Sequence, residues 1–148
     1  TLDTPCTVGG FAAAGATIRT QHGFQAAVQD VPATIWVSAL DAQPVVGSRR
    51  LLVTHLTDLQ NTGIRYGERA RQTLLGWGQL PHLVRAGRAE VRLQLADPGV
   101  WRVWALSTGG TRVAEVPAEV RVGMLVFTAD VASVPDQGAI LCYEIARE

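Results

Sequence analysis

Lysine is missing from this chain of 148 residues, and all thirteen basic residues are arginine. Thirteen acidic residues balance them, so no excess of one sign favours nucleic acid or an anionic membrane as a partner. The arginines run from Arg19 to Arg147 without clustering and mark no site. No apolar stretch approaches the roughly 20 residues of a membrane-spanning helix, and no charged start followed by an apolar run resembles a signal peptide. The sequence opens Thr1-Leu2-Asp3 without a methionine, which leads to the expectation of a removed segment or a longer parent chain around a soluble module. Cysteine is scarce, with Cys6 and Cys142 near opposite ends. If the first and last strands were neighbours, these two would close one long-loop disulfide worth roughly 3–5 kcal/mol. Two buried thiols acting as small apolar groups are the other reading, and two cysteines do not define a compartment.

Catalytic signatures are also lacking. No Gly-x-Ser-x-Gly elbow exists, and Val46-Gly47-Ser48-Arg49-Arg50 does not match one. No glycine-rich phosphate loop follows a strand. His22, His55 and His82 stand alone without ligand spacing, so neither metal nor cofactor is expected. Glu90, Glu115, Glu119 and Glu144 fall where alternation sends side chains outward, the pattern of a solvated surface. Asp58 and Asp130, at strand ends beside apolar runs, are better candidates for an acid pair, but nothing in the sequence joins them.

What is present is a succession of short strands. Val91, Leu93 and Leu95 face one way while Glu90, Arg92 and Gln94 face the other. Asp97-Pro98-Gly99 turns the chain, Trp101, Val103 and Ala105 then alternate with Arg102, Trp104 and Leu106, and Thr108-Gly109-Gly110-Thr111 signals a hairpin. Further strands are expected at residues 16–19, 24–28, 34–40, 49–58, 113–116, 120–122, 124–128 and 140–145. Residues 1–15, rich in glycine and alanine, read as a lead-in segment lying against the sheet. The stretch Arg49 to Asp58 has apolar groups on both faces, the mark of a central strand. His55 shares a face with Leu51 and Val53 and is expected to be a buried, hydrogen-bonded core histidine. Trp36, Trp101 and Trp104, within strands, are expected in the core. The whole chain, 1–148, is one domain: an antiparallel β-sandwich of about eight to ten strands.

The rhythm fails between Asn61 and His82. Asn61-Thr62-Gly63 is a turn, and Glu68 to Leu75 has partial helical spacing, yet Gly67, Gly76, Gly78 and Pro81 prevent a long helix. An irregular or partly helical excursion of about twenty residues out of a tight β scaffold is the natural place for a working surface. Trp77, between two glycines, has little to hide behind, and Tyr66 is the next exposed aromatic. Tyr66, Arg71, Trp77 and His82 are the candidate binding or interdomain contacts.

Two stretches carry a family resemblance. Val31 to Asp41, followed by Arg50 to Gly63, resembles the C-terminal β-sandwich of large bacterial glycoside hydrolases whose catalytic part is a (β/α)₈ barrel, and the run Gly138 to Ile145 is similar to the ending of such chains. The resemblance implies a noncatalytic accessory domain that packs on the barrel, stabilises it and lends a loop to its cleft. Both catalytic carboxylates would belong to a barrel of roughly 250 residues, which this chain does not contain. The partner so implied is the parent's catalytic domain, with a glycan as a second candidate, and the location is extracytoplasmic if that parent is secreted. Two other readings compete: an autonomous carbohydrate-binding module, which needs a row of exposed aromatics on one sheet face, and a structural or adhesive sandwich, which needs an exposed apolar patch. A small all-β enzyme would require Asp58, His55 or Asp130 to converge in a pocket.

Overall fold

The computed structural model describes residues 1–148. In chain order the strands are β1 (Leu2–Asp3), β2 (Thr7–Ala12), β3 (Thr17–Arg19), β4 (Phe24–Val28), β5 (Ala33–Ala39), β6 (Arg50–Leu56), β7 (Leu59–Thr62), β8 (Arg65–Tyr66), β9 (Leu74–Gly76), β10 (Gln79–Val84), β11 (Arg88–Gln94), β12 (Trp101–Leu106), β13 (Arg112–Val116), β14 (Ala118–Arg121), β15 (Met124–Asp130) and β16 (Cys142–Arg147). One 3₁₀ turn, Val45–Gly47, is the only helical element. No helix is long and apolar enough to cross a membrane.

Two antiparallel sheets build the sandwich. The larger has seven strands in the order β1-β2-β5-β6-β16-β12-β13, and the smaller has five in the order β14-β15-β11-β4-β3. The sandwich expected from alternation is therefore observed, with twelve strands in its two main sheets. The surplus over eight to ten comes from the lead-in segment, whose residues pair as β1 and β2. Alternation sorts the side chains: Val8, Ile35, Val37, Leu51, Val53, Val103, Tyr143 and Ile145 point inward from one sheet, and Phe24, Val91, Leu93, Leu125 and Phe127 point inward from the other. Phe127 and Tyr143 meet between the sheets with centroids 5.6 Å apart at 56°. The Tyr143 hydroxyl donates to the carbonyl of Asp130 at 2.8 Å, and burial pushes its pKa up.

Three expectations change. Trp101 is buried, but Trp36 and Trp104 lie half-buried on the outer face of the large sheet, because their neighbours Ile35, Val37, Val103 and Ala105 take the inward positions. Glu144 is not a solvated surface carboxylate. Its side chain is only 5% exposed and accepts from Arg50 at 2.5 Å and Arg112 at 2.6 Å, while the Arg112 guanidinium lies 5.1 Å from the Trp104 ring. These arginines, Arg112 first, hold the Glu144 carboxyl below its ordinary pKa. Cys6 and Cys142 are free thiols. The first and last strands are not neighbours: β5 and β6 separate β2 from β16, and three inter-strand spacings of about 4.8 Å exceed the reach of a disulfide.

His55 is fully buried beside Leu51 and Val53, as its alternation predicts. Its backbone N–H donates to Leu141 at 2.8 Å, but neither ring nitrogen has a protein hydrogen-bond partner. Burial lowers its pKa, opposed by the charge of Asp130.

Candidate functional site

The excursion is a two-part β arm with no helix. Strands β7 and β10 pair as one ribbon (Leu59↔Val84, Gln60↔Leu83, Asn61↔His82, Thr62↔Gln79), with an irregularity between Gln79 and His82. Strands β8 and β9 pair as a second (Arg65↔Gly76, Tyr66↔Leu74). The partial helical spacing of Glu68 to Leu75 closes a loop instead of a helix turn. The Glu68 carboxylate accepts the backbone N–H groups of Gln72 at 2.5 Å and Thr73 at 2.6 Å, which lowers its pKa, and Gly67 donates to the Thr73 carbonyl. Gly78 is required where the ribbons meet, since its φ is +70° and a Cβ there would lie 2.3 Å from the Thr62 carbonyl oxygen.

The root of the arm is clamped. Thr57 donates its hydroxyl to the Arg85 carbonyl at 2.6 Å, and Arg85 donates its N–H to the Asp58 carbonyl at 2.8 Å. The loop between β8 and β9 returns to this root: Arg71, at φ +57°, forms a bidentate pair with Asp58 at 2.9 and 2.8 Å. Gln60 adds a third hydrogen bond to that carboxylate at 3.0 Å, and the Tyr66 ring lies 5.9 Å from the Arg71 guanidinium. Arg71, the largest influence, depresses the Asp58 pKa. A second link runs through Asn61, whose amide donates to the Trp77 carbonyl at 2.9 Å and whose oxygen meets His82 Nδ1 at 2.7 Å.

The four residues singled out from the sequence thus fall into two pairs. Tyr66 and Arg71 come together over Asp58, while Trp77 and His82 are joined through Asn61. Trp77 is 74% exposed and Leu80 is 70% exposed. Leu59, Leu75 and Leu83 are more than half exposed as well, and Leu56 joins them at the root. Sequence reasoning passed over these leucines and the anchors Asn61 and Glu68. The signal was there: six leucines from Leu56 to Leu83 fall outside the clean alternation.

From Leu56 to Ala86 no residue is buried and none contributes a side chain to the core. These thirty-one successive residues, four short strands and their connections, have no core of their own. Elsewhere the outer face of the large sheet bears a shallow apolar groove lined by Leu52, Leu56, Leu106, Leu141 and Cys142. Asp58 does not join His55 and Asp130: Asp58 is engaged by Arg71 outside the sandwich, while His55 lies buried in the core within reach of the Asp130 charge. No cluster of three His, Cys, Asp or Glu side chains is placed to hold a metal ion.

Against this geometry, no protein family, characterised protein or solved structure matches the chain.

Proposed function

We propose that this chain is a noncatalytic accessory domain that docks through its arm onto an adjoining catalytic domain, the sandwich serving as a rigid base; the resemblance to glycoside hydrolase accessory domains makes that partner a barrel. The observation that carries the reading is the run from Leu56 to Ala86, ordered without a buried residue yet bearing Leu59, Leu75, Trp77, Leu80 and Leu83 at the surface. Two-stranded ribbons are marginally stable alone in water, and contiguous exposed apolar groups on a folded protein mark an interaction surface. The Arg71–Asp58 pair and the Asn61 link hold the arm in one shape before it meets its partner, which limits the entropy lost on docking.

Glycan capture has less support. A carbohydrate-binding face presents aromatic rings side by side, whereas Trp36 and Trp104 lie on strands separated by β6 and β16, and Arg112 sits over the Trp104 ring. Trp77 stands without a second aromatic ring beside it in the turn between β9 and β10.

The test uses the complete encoded polypeptide together with the isolated chain. Replacing both Trp77 and Leu80 by Ala is expected to separate the thermal transition of the sandwich from that of its neighbouring domain, while leaving the isolated sandwich within about 0.5 kcal/mol of its original stability. Unchanged coupled melting, or retardation of the isolated chain in a polysaccharide affinity gel abolished by the same substitutions, would overturn the docking reading.

A further inference from the structure

His55 sits fully buried near the end of β6, where the chain leaves the sandwich for the arm, and neither of its ring nitrogens has a protein partner. A buried polar group left unsatisfied stores a desolvation cost. Charging the ring raises that cost sharply, since an imidazolium in an apolar interior needs water or a counter-charge.

The surroundings decide what relieves it. On β5 the cross-strand neighbour is Ile35, and on β16 Tyr143 lies diagonally across, through its pairing with Val53. The Tyr143 phenol stays neutral in acid, its pKa pushed up by burial, and its hydroxyl is engaged by the Asp130 carbonyl. The Cys142 thiol, also raised by burial, lines the outer groove on the opposite face of the sheet. From the smaller sheet come Asp130 and its cross-strand partner Arg88, which is paired with Asp30 at 2.9 Å. Asp130 is the charge that acts on the ring. Its carboxylate accepts the Ala132 N–H at 2.9 Å, so beside a neutral imidazole it secures the start of the segment 131–141.

That segment is lightly held. It contains no strand, and only Val131 and Ile140 within it are buried. Val131 donates its N–H to Gly87 at 3.1 Å, Ile140 donates to Val131 at 2.9 Å, and Leu141 accepts the His55 N–H at 2.8 Å. Between these ends run turn bonds, Ser133 to Asp130 at 3.2 Å and Gln137 to Val134 at 3.4 Å. By contrast β5 and β11 are each paired on both edges. The segment's Val131, Ala132 and Ala139 wall a groove of about 260 Å³ against Leu83 and Val84 of the arm.

We propose that His55 and residues 131–141 form an acid-sensitive latch: when the imidazole takes a proton from solvent, Asp130 exchanges the Ala132 N–H for the imidazolium, and the segment lifts while both sheets stay paired. The wall beside Leu83 moves with it. In the lifted state the ring titrates at or above the ordinary 6.5, whereas in the closed state burial lowers its pKa, with Asp130 opposing. Lifting is therefore suppressed at neutral pH. Its population grows by up to about tenfold for each unit that pH falls from about 6.5 toward the closed-state pKa.

Amide hydrogen exchange followed by NMR from pH 7 to pH 5, corrected for the intrinsic pH dependence of exchange, reads the lifting residue by residue. The Val131, Ala132 and Ile140 amides should lose protection by up to about tenfold per pH unit, while Val91 and Leu93 in β11 keep theirs. His55→Leu and His55→Gln, neither of which titrates in this range, should make the three amides indifferent to pH; the pair guards against a packing defect in either one. Asp130→Asn keeps an acceptor for Ala132 without the charge and should move the onset to lower pH. Flat protection of the three amides in the unsubstituted chain, or loss at Val91 and Leu93 in step with them, overturns the latch, the second because it reports global unfolding. A pH response that persists in both His55 variants assigns it to another group and overturns the role of His55. An onset unmoved by Asp130→Asn refutes the exchange of partners.

Discussion

Replacing His55 by leucine should stabilise this protein, although it alters the centre of a packed core. The imidazole is fully buried, and neither ring nitrogen meets a protein partner. Burying a polar group without a hydrogen bond costs about 1–3 kcal/mol on mutational scales. Leucine has similar bulk and suits the company of Leu51 and Val53, so the change removes that cost and leaves a packing adjustment of less than about 1.5 kcal/mol. A net gain of about 1 kcal/mol is expected at pH 8, a rise in melting temperature of roughly 2–4 °C for a chain of this size.

The pH dependence is the sharper part. Burial sets the folded pKa of His55 below the ordinary histidine value of 6.5, with Asp130 opposing. The unfolded chain therefore binds a proton first as pH falls. The histidine's contribution to stability is intact above about pH 6.5 and is lost as pH drops from there toward the folded pKa, at up to about 1.4 kcal/mol per pH unit. Urea unfolding of both proteins at pH 5, 6, 7 and 8 measures this directly, and the advantage of the leucine variant should widen at each step downward from pH 7. A variant less stable than the parent at pH 8, or two stability curves parallel between pH 7 and pH 5, would refute the reasoning.

Two further outcomes are expected. Val122, fully exposed at φ +52° in the turn between β14 and β15, holds a β-branched side chain in the left-handed region, so Val122→Gly should raise the urea midpoint by the equivalent of about 1 kcal/mol; an unchanged midpoint counts against that strain. Glu144→Gln keeps the shape but drops the charge facing Arg50 and Arg112, and since both arginines are about half exposed the expected loss is about 1–2 kcal/mol at pH 7. Because the Glu144 pKa is lowered, its contribution is full above about pH 4.5 and fades as pH falls below that; a loss that persisted unchanged at pH 3 would contradict it.

Both sheets were legible where one face is core and the other solvent. Alternation alone assigns the inward residues Val91 and Leu93 in the smaller sheet and Trp101, Val103 and Ala105 in the larger, because period-two patterning and burial on one side agree. It misled at Trp36 and Glu144 for one reason: the outer face of the large sheet is itself half covered, by side chains from neighbouring strands that sequence spacing cannot bring together. Glu144 meets Arg50 and Arg112 across β6, β16, β12 and β13. The arm was visible as a break in rhythm, and Trp77 as its exposed aromatic. Its β character was hidden by glycines and a proline that punctuate both irregular loops and short ribbons. The pairing of Asp58 with Arg71, thirteen positions apart, follows from how β8 and β9 fold back, which no local pattern encodes.

Strand β16 lies near the middle of the large sheet, between β6 and β12, and buries Tyr143 and Ile145. During synthesis, then, β6 and β12 emerge with the edges that will pair with β16 still bare, and more than half of the chain separates the end of β6 from the start of β16. Contacts of such long range close slowly, and bare strand edges invite pairing with other chains. The nascent chain is most exposed to misassembly in the interval before residue 142 leaves the ribosome, and any factor that shields its unfinished sheet would act in that interval.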